Sequence, residues 1–293
     1  MNSTTGMFYL IRSVQYIGGM DTFPVGTIPT TTLFDETRHA PPPMVPIPAV
    51  GGVGVKGAPA ARGVVGILGG MGPEATADFY LKLVHATPAS RDQEHLRVLI
   101  WSDPTIPDRT EALLTQGADP TPALIAGAKL LKSSGAEMLA VPCNTAHAFL
   151  AAVQSQVDVP IIHMIEETAK YVRQLAPPVQ KVGLLSTTGT QKAGLYQSWL
   201  EANGVAVITP ADDCQEDLVM GSIRAIKAGK SSSEVRPQLT RAALGLIEAG
   251  AQAIIGGCTE VPVGLSSADI PVPFIDPAEI LAAAVVRRVL LGQ

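Results

Sequence analysis

The sequence predicts an α/β fold built twice within one chain. Three observations predict it: alternating strand and helix patterns, an internal repeat, and a cysteine placed alike in each copy. The pattern begins at Val64, where VVGILGG reads as a buried strand running into a glycine turn. MGPEATADFYLKLVHAT follows with helical spacing, and Pro73 suits a first helical turn. RVLIWS reads as a strand, ALIAGAKLLKSSG as a helix closed by Gly135, EMLAVP as a strand, and CNTAHAFLAAVQSQ as the opening of a helix. VPIIHM, KVGLLST, AVITP, QAIIGG and VPFID continue the strands, with helices between them, as parallel sheets require.

The repeat has three matched landmarks in the same order. VVGILGGMG (64–72) parallels KVGLLSTTG (181–189), and SGAEMLAVPCNTA (134–146) parallels AGAQAIIGGCTEV (249–261). VDVPIIHMIEE (157–167) parallels ADIPVPFIDPAE (268–279). Cys143 follows Gly135 at the same interval as Cys258 follows Gly250. The expected organisation is a first α/β domain over 63–165 and a second over 166–276. The helix 277–293, with its AEILAAAVVRRVL pattern, is expected to cross back onto the first. Residues 1–62 include TFPVGTIPTTT, APPPMVPIPAV and GGVGVKGAPAARG. Their clustered Pro and Gly deny helix and strand, so this stretch reads as a disordered or loosely attached extension without site residues.

Composition narrows the function classes. The 293 residues are 46% hydrophobic and 16% charged, enough apolar content for a real core. A formal net charge of -5 gives no case for nucleic acid or an anionic membrane as partner. No apolar stretch is long enough to span a bilayer, and the N-terminus lacks the basic start of a signal peptide. Three cysteines do not make a disulfide framework, so a reducing cytoplasm is the expected compartment. GILGGMG is glycine-rich but is not the dinucleotide fingerprint.

Ligands of α/β sheets bind beyond the carboxyl ends of the strands, where Cys143 and Cys258 both fall. Each precedes an expected helix, whose N-terminus would lower the thiol pKa below the ordinary value of about 8.5. Two thiols facing one cleft could remove a proton from one face of a carbon and return one on the other. Cys214 lies outside the repeat and reads as a small apolar residue. Cys143 and His147 are spaced to share a helical face, but no CxxC pair accompanies them and no metal site is expected.

VPCNTAH and GGCTEVP resemble the paired cysteine motifs of the aspartate/glutamate racemase superfamily. GILGGMGPEAT, DPTIPDRT and TTGTQKAGLY resemble its aspartate racemase branch, and the resemblance runs from residue 64 to about 290. Glutamate racemases of cell-wall synthesis are less similar: they carry Asp-Ser-Gly where this chain has GGMG, and His where it has Glu260. The resemblance implies two Rossmann-like domains related by pseudo-twofold symmetry, with the active site in the cleft between them. It implies a homodimer without pyridoxal phosphate, metal or nucleotide. The implied activity interconverts L- and D-forms of an acidic amino acid, aspartate before glutamate, with Cys143 and Cys258 as acid/base pair.

Substrate-binding residues follow motif by motif from the same resemblance. Gly70 and Met71 form the first loop, with Gly72 beside them, while Asn144, Thr145, Thr259 and Glu260 flank the cysteines. Arg109 in PDRT and Lys192 in GTQKAGLY would hold carboxylates. Asp103 stands where relatives often place Asn, and its negative charge needs an explanation. Two alternatives stay open: another superfamily enzyme such as a hydantoin racemase or maleate isomerase, and a non-catalytic amino-acid-binding protein. A malonate decarboxylase fits less well, since those enzymes keep one of the two cysteines.

Overall fold

The repeat in the sequence becomes a pair of parallel sheets with one strand order. The structure is a computed structural model and describes residues 63–292; the extension read over 1–62 lies outside the described residues. The first sheet contains β1 (Val64–Gly69), β2 (Arg97–Ser102), β3 (Met138–Ala140) and β4 (Ile161–Ile162), ordered β2-β1-β3-β4. The second contains β5 (Lys181–Ser186), β6 (Ala206–Ile208), β7 (Ala253–Gly257) and β8 (Phe274–Ile275), ordered β6-β5-β7-β8. Each repeated landmark is therefore a strand in an equivalent place: β1 with β5, β3 with β7, and β4 with β8. Gly66 pairs with Leu139 and Gly183 with Ile254. A Cβ at either glycine would sit 2.6 Å from the partner strand's side chain, so the shared glycine lets a helix lie close on each sheet.

Helices α1 (Pro73–Ala86), α2 (Arg109–Leu114) and α3 (Thr121–Ser133) connect the strands of the first sheet, followed by α4 (Leu150–Gln154) and α5 (Met164–Val172). The second half carries α6 (Thr188–Lys192), α7 (Leu195–Leu200) and α8 (Asp212–Cys214), a π-helical stretch over Gln215–Met220, then α9 (Gly221–Lys227) and α10 (Ser232–Glu248). It closes with α11 (Val261–Gly264) and α12 (Pro277–Leu291). Among the described residues no helix is long and apolar enough to cross a membrane.

The helix that follows each sheet's last strand packs on the other sheet. Ile165, Ala169 and Val172 of α5 join Val182, Leu184 and Ile255 of the second sheet in one core. Leu281, Ala282 and Val285 of α12 join Val65, Ile67 and Ala140 of the first sheet in another. A Glu167–Arg287 ion pair at 2.8 Å ties the exchanged helices together. Asp276 caps α12 at Ala278 N and also pairs with Lys82 Nζ of α1 at 2.9 Å. Burying both halves of this exchange couples the sheets through apolar contact as well as through the chain.

Candidate functional site

Cys143 and Cys258 lie just beyond the carboxyl ends of β3 and β7, and each is 6% exposed. All three cysteines are free thiols, and Cys214 is only partly buried at the end of α8. The chain after Cys143 does not open an α-helix as its sequence suggested. It makes a 3-10 turn over Thr145–Ala148, and the His147 N–H goes to the Asn144 carbonyl at 3.0 Å. The Cys143 carbonyl meets the His147 ring instead, Nδ1 lying 2.8 Å away. His147 Nε2 accepts from Met164 N at 3.0 Å, so Nδ1 carries the proton and donates to Cys143. Burial, with His163 adjacent, pushes the His147 pKa down to about 3. The ring is thus a neutral brace between α5 and the Cys143 turn.

Thr145 is also fixed. Its hydroxyl lies 2.8 Å from Thr187 Oγ1 and 2.9 Å from Thr190 Oγ1, joining the first half to the N-terminus of α6. Asn144, only 3% exposed, accepts a 2.6 Å hydrogen bond on Oδ1 from the Tyr196 phenol of α7. Its Nδ2 is buried and has no hydrogen-bond partner among the described residues.

Around Cys258 the surroundings are acidic. The thiol donates to Glu260 Oε2 at 2.9 Å, and Thr259 Oγ1 donates to the same oxygen at 3.3 Å. Burial, then the Glu260 charge, push the Cys258 pKa well above its ordinary value. This corrects the expected depression. The following α11 is a single short turn, and its weak dipole is outweighed by desolvation and the neighbouring carboxylate.

Lys227, at the end of α9, is the cation that the sequence reading missed. Its Nζ lies 3.7 Å from Glu260 Oε1. Burial works hardest against its charge, but Glu260, Cys258 and Cys143 outweigh it and raise the pKa, against opposition from Arg109. One ammonium is therefore within electrostatic reach of both thiols and of Arg109. No local signal in GSIRAIKAGK separates Lys227 from an ordinary helix-end lysine.

Arg109 is 8% exposed at the first position of α2, which Asp108 caps through Thr110 N and Glu111 N. Arg109 Nη1 donates to the carbonyls of Ile106 and Pro107, while Nε is buried without a hydrogen-bond partner. Lys192 is not brought into this group. Its side chain is 56% exposed and 3.8 Å from Asp212, because α6 ends there facing solvent. Gly70 has φ 93° and its Cβ would meet the Asp103 backbone at 2.3 Å, so only glycine fits. Its N–H is committed to Thr76 Oγ1 at 2.8 Å. Met71 packs in one core cluster with Ile106 and Cys143. The Asp103 charge is absorbed by its own turn, where Oδ1 accepts from Thr105 N and Thr105 Oγ1.

The assembled group holds two buried thiols, one carboxylate, two cations and two buried donors that lack acceptors. Proton transfer at sulfur and binding of a carboxylate are the chemistry such a group supports. Residues 68–285 match the Asp/Glu/Hydantoin racemase family. The chain is 31% identical over 234 residues to the broad specificity amino-acid racemase RacX of Bacillus subtilis, covering 78% of this chain and 100% of that one. Aspartate racemase of Picrophilus torridus superposes with a TM-score of 0.69 at 33% identity, over 78% of this chain and 94% of that structure. An aspartate racemase homologue from Pyrococcus horikoshii gives 0.62 at 27% identity, over 78% and 99%. The chain belongs to the Asp/Glu/hydantoin racemase family.

Proposed function

We propose that this chain is an amino-acid racemase acting on an acidic amino acid, aspartate before glutamate, through Cys143 and Cys258 and without a cofactor. The observation that carries the reading is the equivalent placement of the two buried thiols after β3 and β7, with Lys227 in reach of both. The resting Cys258 keeps its proton, because burial and Glu260 disfavour its thiolate. Cys258 is then ready to donate to Cα while a Cys143 thiolate removes the α-proton from the opposite face. One turnover inverts the carbon and moves one proton from Cys258 to Cys143, which prepares the site for the reverse direction. In that direction the Cys258 thiolate takes the α-proton and Cys143 returns one to the opposite face.

Substrate choice rests on charge. An acidic amino acid brings two carboxylates and one ammonium. Arg109 and Lys227 supply two cations, and Glu260, beside Thr259, supplies an anion. Asn144 adds a buried donor, while Met71 packs in one cluster with Cys143 and Gly70 sets the turn that leads into it. The similarity to a relative named for broad specificity favours testing many amino acids together. Purified protein in deuterated water, incubated with each L- and D-amino acid, should exchange Cα–H fastest for aspartate or glutamate by NMR. Faster exchange for a neutral amino acid contradicts the acidic reading, and exchange for none contradicts the racemase reading. Activity should survive dialysis against a chelator and treatment with a carbonyl reagent.

A further inference from the structure

We infer that Tyr196 is a positioning residue that turns the Asn144 amide so that its NH2 group serves the ligand; the inference rests on the racemase reading above. Tyr196 belongs to α7 and is fully buried in the second core with Leu184 and Ile255. Its phenol reaches the other half of the molecule and donates to Asn144 Oδ1 at 2.6 Å. Burial raises the phenol pKa well above its ordinary value of 10, so the hydroxyl keeps its proton. A donor on that side selects the amide oxygen and directs Nδ2 to the other side. There the NH2 is buried, and no acceptor among the described residues meets it. A buried donor left unpaired is costly, and a bound acceptor relieves the cost.

A second unpaired buried donor lies in the same group. Arg109 Nε has no acceptor, although Nη1 of the same side chain is anchored to two backbone carbonyls. Asn144 adjoins Cys143, and Arg109 shares the electrostatic field of Lys227 with both thiols. One unsatisfied donor on the residue next to Cys143, and one on a buried arginine that shares the field of Lys227 with the thiols, call for an oxygen-rich anion such as the carboxylate of an amino acid. Without the Tyr196 hydroxyl the Asn144 amide could reverse and present its oxygen to that carboxylate, turning attraction into repulsion. The Tyr196 ring would still fill its core, so the effect belongs to orientation and not to packing.

The test is a double-mutant cycle with Tyr196→Phe and Asn144→Ala, reading kcat and KM for L-aspartate. Protection of the thiols from iodoacetamide by L-aspartate supplies a second readout of binding. Tyr196→Phe should raise KM by about tenfold or more, as should Asn144→Ala. In the Asn144→Ala background, adding Tyr196→Phe should change KM by less than about twofold, because no amide remains to orient. Independent, multiplying effects would overturn the inference. So would an unchanged KM in Tyr196→Phe, the result expected if the phenol proton served the neighbouring Thr168 hydroxyl. Should Tyr196→Phe fail to fold, Asn144→Asp keeps an oxygen for the phenol and replaces the NH2 with a second oxygen. Aspartate protection should then fall sharply, and undiminished protection would overturn the inference. If the wild type neither racemises nor is protected by any amino acid, the racemase reading falls and this one with it. If the wild type racemises and the coupling is absent, only the role of Tyr196 falls.

Discussion

The Cys258 thiol donates a 2.9 Å hydrogen bond to the Glu260 carboxylate, two residues on along the chain. This contact and burial together keep the sulfur protonated. Alkylation needs the thiolate. Cys258 should therefore react slowly with iodoacetamide at neutral pH and accelerate only as pH rises beyond the ordinary thiol range. Glu260→Gln removes the adjacent negative charge and should shift that acceleration to lower pH. Mass spectrometry of the Cys258 peptide against pH measures it. A Glu260→Gln profile at or above the wild-type pH would contradict the assignment of charge.

Lys227 pairs with the buried Glu260 carboxylate and is within electrostatic reach of both thiols, whereas Lys192 pairs with the exposed Asp212. The Lys227 side chain is 38% exposed, so solvent screens part of its pairing with buried Glu260 and the loss costs about 1–2 kcal/mol. Lys227→Met should thus lower kcat/KM for aspartate by about tenfold. Lys192→Met should change it by less than about threefold, as surface ion pairs contribute little. Steady-state kinetics on the two variants decide between them, and the opposite ranking would restore Lys192 to the site.

His147 gives a pH signature in stability. Its folded pKa of about 3 lies below its ordinary value of 6.5, so the unfolded chain binds more protons between the two. The stability tied to neutral His147 is full above about pH 6.5 and is lost as pH falls toward 3. His147→Gln should melt lower than wild type at pH 7 yet lose less Tm between pH 6.5 and pH 4.5. Parallel melting curves for the two proteins across that interval would show that the ring is not held neutral.

Much of this was legible in the chain. The glycine-strand-cysteine repeat marks β1 and β5, β3 and β7, and both thiols, because short buried strands are apolar runs that periodicity shows. The exchange of α5 and α12 was legible only in part, since an amphipathic helix does not name the sheet it covers. The 3-10 turn after Cys143 was hidden because His147 and Thr145 trade helical bonds for contacts made in tertiary structure. Lys227 was hidden for a related reason: its partner Glu260 lies over thirty positions away, across the connection from α9 to α11. The exposure of Lys192 beside Asp212 was not legible, because a motif fixes residue type and position but not side-chain direction.

The proposed mechanism needs two sulfurs serving opposite faces of one carbon. Its most direct test compares racemisation with α-proton exchange in Cys143→Ser and Cys258→Ser, starting from each enantiomer of aspartate in deuterated water. A hydroxyl is a far poorer base than a thiolate, so both variants should lose racemisation by orders of magnitude. Each should retain exchange for one enantiomer at most, and the two variants should favour opposite enantiomers. Near-wild-type racemisation by either variant would contradict the two-thiol mechanism.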